Sequence, residues 1–361
     1  MTNVPVWAPI KPSFHVRDYA FGARLIPEML GKRGTPAGIV AETWEVSDYA
    51  HTTARILEGP FAGRSLHDLV IAHPEEVVGA GWSGPNFPLL CKFLDATNML
   101  PVHLHADDET ARRLHAVPHG KTEAWHILWC TDDATILAGI KPGIGEDELI
   151  AAFRAQDYDR VMPRYPIQSG DTVYVPGGIL HSFGPGTLIF EIQQTSDLAQ
   201  SVMPTDLGGA ELQQEMWEHN IAATLAERKT NYLPRPHAGL KRSNPVANGN
   251  RFVVGAAGPH FALERWSLVA PHREPARPER CLTLTNLGDA VSIAFEGGVT
   301  TLGRAESCIL PAAMGAFTLV PDSPTALIVC YVPNIERDIV APLEEAGHPY
   351  AAISALGEVD S

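Results

Sequence analysis

Residues 101–105 read Pro101–Val102–His103–Leu104–His105. In an extended strand alternate side chains share a face, so His103 and His105 point the same way while Leu104 turns back into the body of the protein. Two imidazoles on one face are half of a metal site. Gly120–Lys121–Thr122–Glu123–Ala124–Trp125–His126–Ile127–Leu128 leads from a turn into an apolar run and brings a carboxylate. Asp171–Thr172–Val173–Tyr174–Val175 is a second apolar run, and after a Pro176–Gly177–Gly178 turn it reaches His181. Four ligand candidates on strands, His103, His105, Glu123 and His181, predict a barrel-type arrangement. Imidazole and carboxylate suit one divalent ion, zinc first and Mn, Fe, Co or Ni as alternatives, with positions left open for water or substrate. Glu109 completes a rival His-x-His-x-x-x-Glu spacing. Glu123 is preferred, because Asp107–Asp108–Glu109–Thr110 reads as a helix start on a loop.

Working outward, the 361 residues are 45% hydrophobic, enough for one large or two moderate globular domains. No stretch approaches the roughly 18 uncharged apolar residues that a membrane span needs, and the first residues lack a signal-peptide pattern, so the expected location is the cytoplasm. A formal charge of -15 argues against nucleic acid or an anionic membrane as partner, since both require clustered Lys and Arg. Cys91, Cys130, Cys281, Cys308 and Cys330 are odd in number and widely spaced, and read as ordinary buried thiols.

Residues 38–47 alternate like a half-buried strand, and Leu89–Leu94 is a strand entering the histidine stretch. Ser65 caps a short helix that His73–Pro74 ends, and Gly145 precedes a helix with an acidic first turn. The clearest helix covers residues 210–229, with Leu212, Met216, Ile221 and Leu225 on one side. Short apolar segments at regular spacing from Arg251 to Val332 predict a second all-β unit without a His-x-His. The expected organisation is mostly β: a metal-bearing domain over 1–232 with a helical segment at about 205–230, a linker at 233–249, and a smaller metal-free β domain over 250–361.

The ordered set of His-x-His, Glu before a strand, and Gly170–Asp171 with Pro176–Gly177 leading to His181 resembles the two cupin motifs. Beyond that, the chain resembles the type I mannose-6-phosphate isomerases. The residues that carry the likeness are Ala41–Glu42–Thr43–Trp44–Glu45, Lys92–Phe93–Leu94–Asp95–Ala96, Val102 through Glu109, Gly120 through Trp125, Gly170 through His181, and Glu191–Ile192–Gln193–Gln194–Thr195–Ser196–Asp197. The resemblance implies a cupin (jelly-roll) barrel that holds zinc, a second cupin-like β domain, and interconversion of an aldose phosphate and a ketose phosphate. It further implies that His105, Glu123 and His181 bind the metal, and that Lys92, Lys121 and Asp197 line the substrate cleft.

Three positions depart from the family pattern. His103 stands where the family usually has Gln, which keeps a ligand. Pro101 replaces a phosphate-contacting Ser and offers neither a hydroxyl nor a backbone donor. The family's active-site Arg, four residues beyond Asp197, falls on Ser201, and no Lys or Arg occurs between Arg164 and Arg228. Charge-assisted hydrogen bonds to phosphate contribute about 1.5–3 kcal/mol each, so the expected scaffold is that of the isomerase with phosphate recognition weakened or replaced. The substrate is then a sugar or sugar phosphate, an unphosphorylated or differently substituted sugar being a serious candidate. A cupin oxygenase-type metalloenzyme and an inactive sugar-binding relative are the alternatives.

Moving a carbonyl between C1 and C2 passes through an enediol, which needs a base and a group that stabilises an oxyanion. Lys121, two residues from Glu123 on the same face, supplies an ammonium, and Asp197 either transfers a proton or caps the turn after Gln194. Lys92 sits in the cleft or snorkels. His115, His119 and His126 read as solvent-facing, and Trp44, Trp125 and Trp129 as core.

Overall fold

Strand-forming sequence dominates both halves of the chain, and the strands sort into two antiparallel sandwiches. The structure is a computed structural model and describes residues 6–360. In chain order the first sandwich contains β1 (His15–Arg17), β2 (Glu42–Val46), β3 (Leu89–Ala96), β4 (His103–Leu104), β5 (Glu123–Cys130), β6 (Thr135–Ala138), β7 (Arg164–Pro166), β8 (Thr172–Val175), β9 (His181–Phe183), β10 (Thr187–Gln194) and β11 (Gln200–Ser201). One sheet runs β1-β2-β3-β10-β5-β8 and the facing one β11-β4-β9-β6-β7. This is a jelly-roll of the cupin type.

Period-two alternation decides which side chains reach the interior. Leu94 on β3, Trp125 and Ile127 on β5, and Ile189 on β10 fill the space between the two sheets. Their neighbours Cys91, Phe93, Ala124, Leu188, Phe190 and Ile192 point out of the other face. That outer face is largely apolar because it meets the second sandwich rather than water.

The second sandwich pairs a six-stranded sheet with a four-stranded one, built from strands between Leu240 and Tyr331. Its larger sheet contributes Phe252, Ala256, Leu263 and Cys330 to the same apolar cluster that holds Phe93 and Phe190. The chain's start reinforces the union: Ile10 and Ile309 exchange backbone hydrogen bonds at 2.8 Å in both directions. Within the stretch expected as linker, Leu240–Arg242 is an edge strand of the second sandwich. The C-terminal part is not all β, since Glu336–Glu345 and Tyr350–Ser354 are helical. Leu343, Ile353 and Leu356 of this segment are buried in the shared cluster.

The long helix spans Gln214–Glu227, shorter than residues 210–229. Its packed stripe is Trp217, Ile221 and Leu225, at helical spacing of four. Met216, assigned to that stripe from the sequence, is 52% exposed, because one position along a helix turns the side chain by about 100°.

Candidate metal centre and active site

Strand register brings the histidines together. His103 on β4 lies directly opposite His181 on β9, and their Nε2 atoms are 3.1 Å apart. His105 follows two residues later on the same face, and ligand atoms of the three rings lie within 4.8 Å of one another. From the facing sheet, Glu123 at the start of β5 reaches His181 Nε2 with Oε1 at 3.1 Å and His105 Nε2 with Oε2 at 3.3 Å. All four residues named from the sequence thus meet at one point. Glu109 is exposed on its helical turn and takes no part.

The loops that deliver these side chains are locked by close backbone approach. A Cβ on Gly120 would lie 2.3 Å from the Ala106 carbonyl oxygen, and one on Gly177 would lie 2.6 Å from Asp107 Cα. Only glycine fits at either place. The contact is sealed by hydrogen bonds from Lys121 N to Ala106 O at 2.9 Å and from Gly178 N to His105 O at 2.6 Å. The His-x-His loop, the Glu123 strand and the His181 turn therefore form one rigid unit.

Each imidazole has its Nδ1 next to a backbone carbonyl: Pro101 O for His103 at 2.7 Å, Leu198 O for His105 at 2.8 Å, and Ile179 O for His181 at 2.8 Å. A carbonyl only accepts, so Nδ1 carries the proton and Nε2 presents a lone pair. Three lone pairs and a carboxylate then converge with no proton among the nitrogens. His105 Nε2 is buried and finds no hydrogen-bond donor among the described residues. This donor set fits a divalent first-row ion, the one partner that would satisfy every lone pair at once.

Burial, then the neighbouring His181 and His105, lowers the His103 pKa well below the ordinary range. Burial and then the Lys121 ammonium push His105 down to about 4. Both rings stay neutral at physiological pH. Burial alone would raise the Glu123 carboxyl, but Lys121, His105 and His181 together hold it well below the usual carboxylate range. Lys121 itself is fully buried, which opposes its charge, yet Glu123, Glu191 and Asp197 outweigh this and raise its pKa.

The centre opens into a cavity of about 320 Å³, at the small end for a ligand site. Lys121 Nζ lies 2.8 Å from Glu123 Oε2 and 3.4 Å from Glu191 Oε1. Lys92 is 2% exposed, so it does not snorkel; its Nζ lies 3.5 Å from Glu191, 3.7 Å from Glu42 and 4.0 Å from Asp197. The side chain of Asp197 is about one-third exposed, at 35%, and faces the same cavity rather than serving as a helix cap. Glu42 and Glu191 were given no role from the sequence. Glu191 interrupts the apolar strand β10 and Glu42 heads β2, both lining the cavity, and Glu191 pairs across β10 and β3 with Lys92, a match of buried acid and buried lysine that emerges only from the strand register. Tyr19 also lines the cavity, and burial, then Glu42 and Asp197, push its hydroxyl up to about 12.

The remaining sequence candidates lie elsewhere. His126 is buried on the outer face of β5, against the expectation of solvent, because the second sandwich covers that face. His115 is paired with Glu227 at 2.8 Å. Trp44 and Trp125 are fully buried, and the indole of Trp125 donates to Glu123 Oε1 at 2.9 Å.

Fold and site together define a two-sandwich cupin protein with a cluster of three imidazoles and one carboxylate at the floor of a sugar-sized cavity. Residues 11–123 match the family model described as phosphomannose isomerase type I, catalytic domain. Mannose-6-phosphate isomerase ManA of Bacillus subtilis is 32% identical over 284 residues, which are 79% of this chain and 87% of that protein. The mannose-6-phosphate isomerase of Streptococcus mutans is 33% identical over 171 residues, 47% of this chain and 53% of that one. Among solved structures, the mannose 6-phosphate isomerase from Bacillus subtilis superposes with a TM-score of 0.78 at 25% identity, covering 90% of this chain and 99% of that chain. The chain belongs to the type I phosphomannose isomerase family, and with it to the aldose–ketose isomerases. Among the described residues no helix is long and apolar enough to cross a membrane.

Proposed function

We propose that the chain is a metal-dependent aldose–ketose isomerase acting on a monosaccharide or its derivative through an enediol, with His103, His105, Glu123 and His181 as metal ligands. The observation that carries this reading is the convergence of three Nε2 lone pairs and one carboxylate beneath a cavity whose floor also holds two buried ammoniums. A divalent ion held by these four side chains would supply Lewis-acid stabilisation of the oxygen that becomes negative as the carbonyl shifts.

The protein's own groups account for the proton traffic. Lys121 stays protonated at the cavity floor and donates to the developing oxyanion. Glu191 is wedged between Lys121 and Lys92 and positions both, burial raising its own pKa while Lys121 opposes the shift. Asp197 is the least engaged carboxylate at the floor, with one ion contact at 4.0 Å and a side chain 35% exposed, so it is free to take the carbon-bound proton, exchange it with solvent and deliver a solvent proton to the neighbouring carbon. Mannose 6-phosphate, named for the Bacillus subtilis relative, is one member of the substrate class to be tried.

The test is turnover in deuterated water by protein reconstituted with zinc, manganese, iron, cobalt or nickel in turn. An enediol route places solvent deuterium at the carbon next to the carbonyl, and Asp197→Asn is expected to lower kcat by about 10²-fold or more with a smaller change in KM. Product free of deuterium, or full activity of metal-stripped protein, would sink the reading.

A further inference from the structure

The cavity above the candidate metal centre is unevenly charged. Five carboxylates line it, from Glu42, Glu123, Glu191, Asp197 and Asp206, against two ammoniums, from Lys92 and Lys121, and among the described residues no guanidinium lines it. Both lysines lie at the floor and are already engaged by carboxylates. The rest of the polar lining is neutral, including the amides of Gln200 and Asn220 and the hydroxyls of Ser201 and Thr205, with Ser201 in register opposite His103 and its Oγ donating to Val102 O at 3.4 Å and accepting from Met203 N at 3.2 Å. Asp206 is exposed beside them, its Oδ1 fixed by the amides of Gly208 and Ala210 at 2.9 Å each. Arg17, on the edge strand β1, stacks 4.7 Å from the Trp44 ring centroid and does not line the cavity.

An entering dianion would meet a carboxylate at the rim and no cationic side chain along the wall, so positive charge is confined to the floor, where the carboxylate-engaged lysines and the proposed divalent ion lie, away from a sugar's terminal substituent. Neutral hydroxyls, by contrast, find both donors and acceptors at each level. We propose that the preferred substrate is an uncharged monosaccharide whose terminal carbinol end is held at the rim by Ser201, Gln200, Asn220 and Asp206, rather than a sugar bearing a terminal phosphate. This rests on the isomerase reading above and adds the substrate class to it.

The experiment compares kcat/KM of the metal-loaded full chain for a panel of free aldoses, each against its own terminal phosphate ester. The best free aldose is expected to match or exceed its ester. Asp206→Asn is expected to raise the ester-to-free ratio about fivefold by removing one rim charge, and Ser201→Arg about tenfold or more by adding a guanidinium. Asp206 is exposed, so its variant tests the idea even if Ser201→Arg fails to fold. A wild-type preference of about tenfold for the ester, or an unmoved ratio in the Asp206 variant, overturns the proposal while leaving the isomerase reading intact. If no sugar turns over, that reading fails instead, and calorimetry decides: sorbitol or mannitol binding at least as tightly as its 6-phosphate upholds the substrate class, and tighter binding of the phosphate, or binding of neither, overturns it.

Discussion

One indole fixes the carboxylate of the candidate metal centre. Trp125 Nε1 donates to Glu123 Oε1 from a fully buried ring, so the carboxylate plane is set before any ion arrives. Outer hydrogen bonds of this kind typically change metal affinity by 10–100-fold, and Trp125→Phe is expected to weaken binding by about that factor in chelator competition. A change below about threefold would mean that Lys121 alone holds Glu123. His103→Gln should retain the ion with reduced affinity, since an amide oxygen replaces the imidazole nitrogen, whereas His181→Ala should abolish tight binding. At this scale the sequence was most legible where chemistry is rare: a His-x-His in a strand, a glutamate after a glycine turn. Glu42 and Glu191 were illegible as site residues, because an acid in an apolar run declares itself only once its cationic partner across the sheet is known.

At the scale of elements, what matters is how tightly the Gly120 and Gly177 turns are pinned on Ala106–Asp107 of the His-x-His loop. Gly177→Ala would drive a methyl against Asp107 Cα at 2.6 Å, a backbone atom with no room to yield. Overpacking of this sort costs about 1–3 kcal/mol, and here the displacement falls on the segments carrying His105 and His181. The expected result is a lower Tm together with lost metal affinity, whereas Gly143→Ala, at a position with positive φ but open space around it, should lower Tm without affecting the metal. Val291–Phe295, which alternates, and Ser307–Leu310, a short apolar run, were legible from pattern alone. Edge strands of three residues, Leu240–Arg242 and His272–Glu274, were not, since their pairing comes from the neighbouring strand rather than from their own side chains. The helical segment after Tyr331 was missed for a related reason: it is stabilised by packing Leu343 and Ile353 onto a core assembled from distant parts of the chain.

For the whole molecule, the two sandwiches share one apolar cluster, and His126 is buried where they meet. It faces Thr172, whose hydroxyl lies 3.2 Å from Nδ1, and feels Arg265 of the second sandwich. Burial first, then that guanidinium, pushes its pKa down to about 3. In the unfolded chain the ring titrates near its ordinary value of about 6.5. Above that value neither state holds the proton and His126 adds no pH dependence. Below it the unfolded chain binds a proton that the folded protein refuses, so stability falls as pH drops, by up to about 1.4 kcal/mol per unit, until pH approaches 3. Urea midpoints of the wild-type protein and His126→Gln, measured between pH 7 and pH 4, should therefore diverge in slope. The variant starts lower, because it loses the Thr172 contact and fits the interface less well, but declines less steeply with acid. Parallel curves would show that His126 gains a proton without opening the interface, and the joint between the sandwiches would then be wetter than its buried, apolar lining implies.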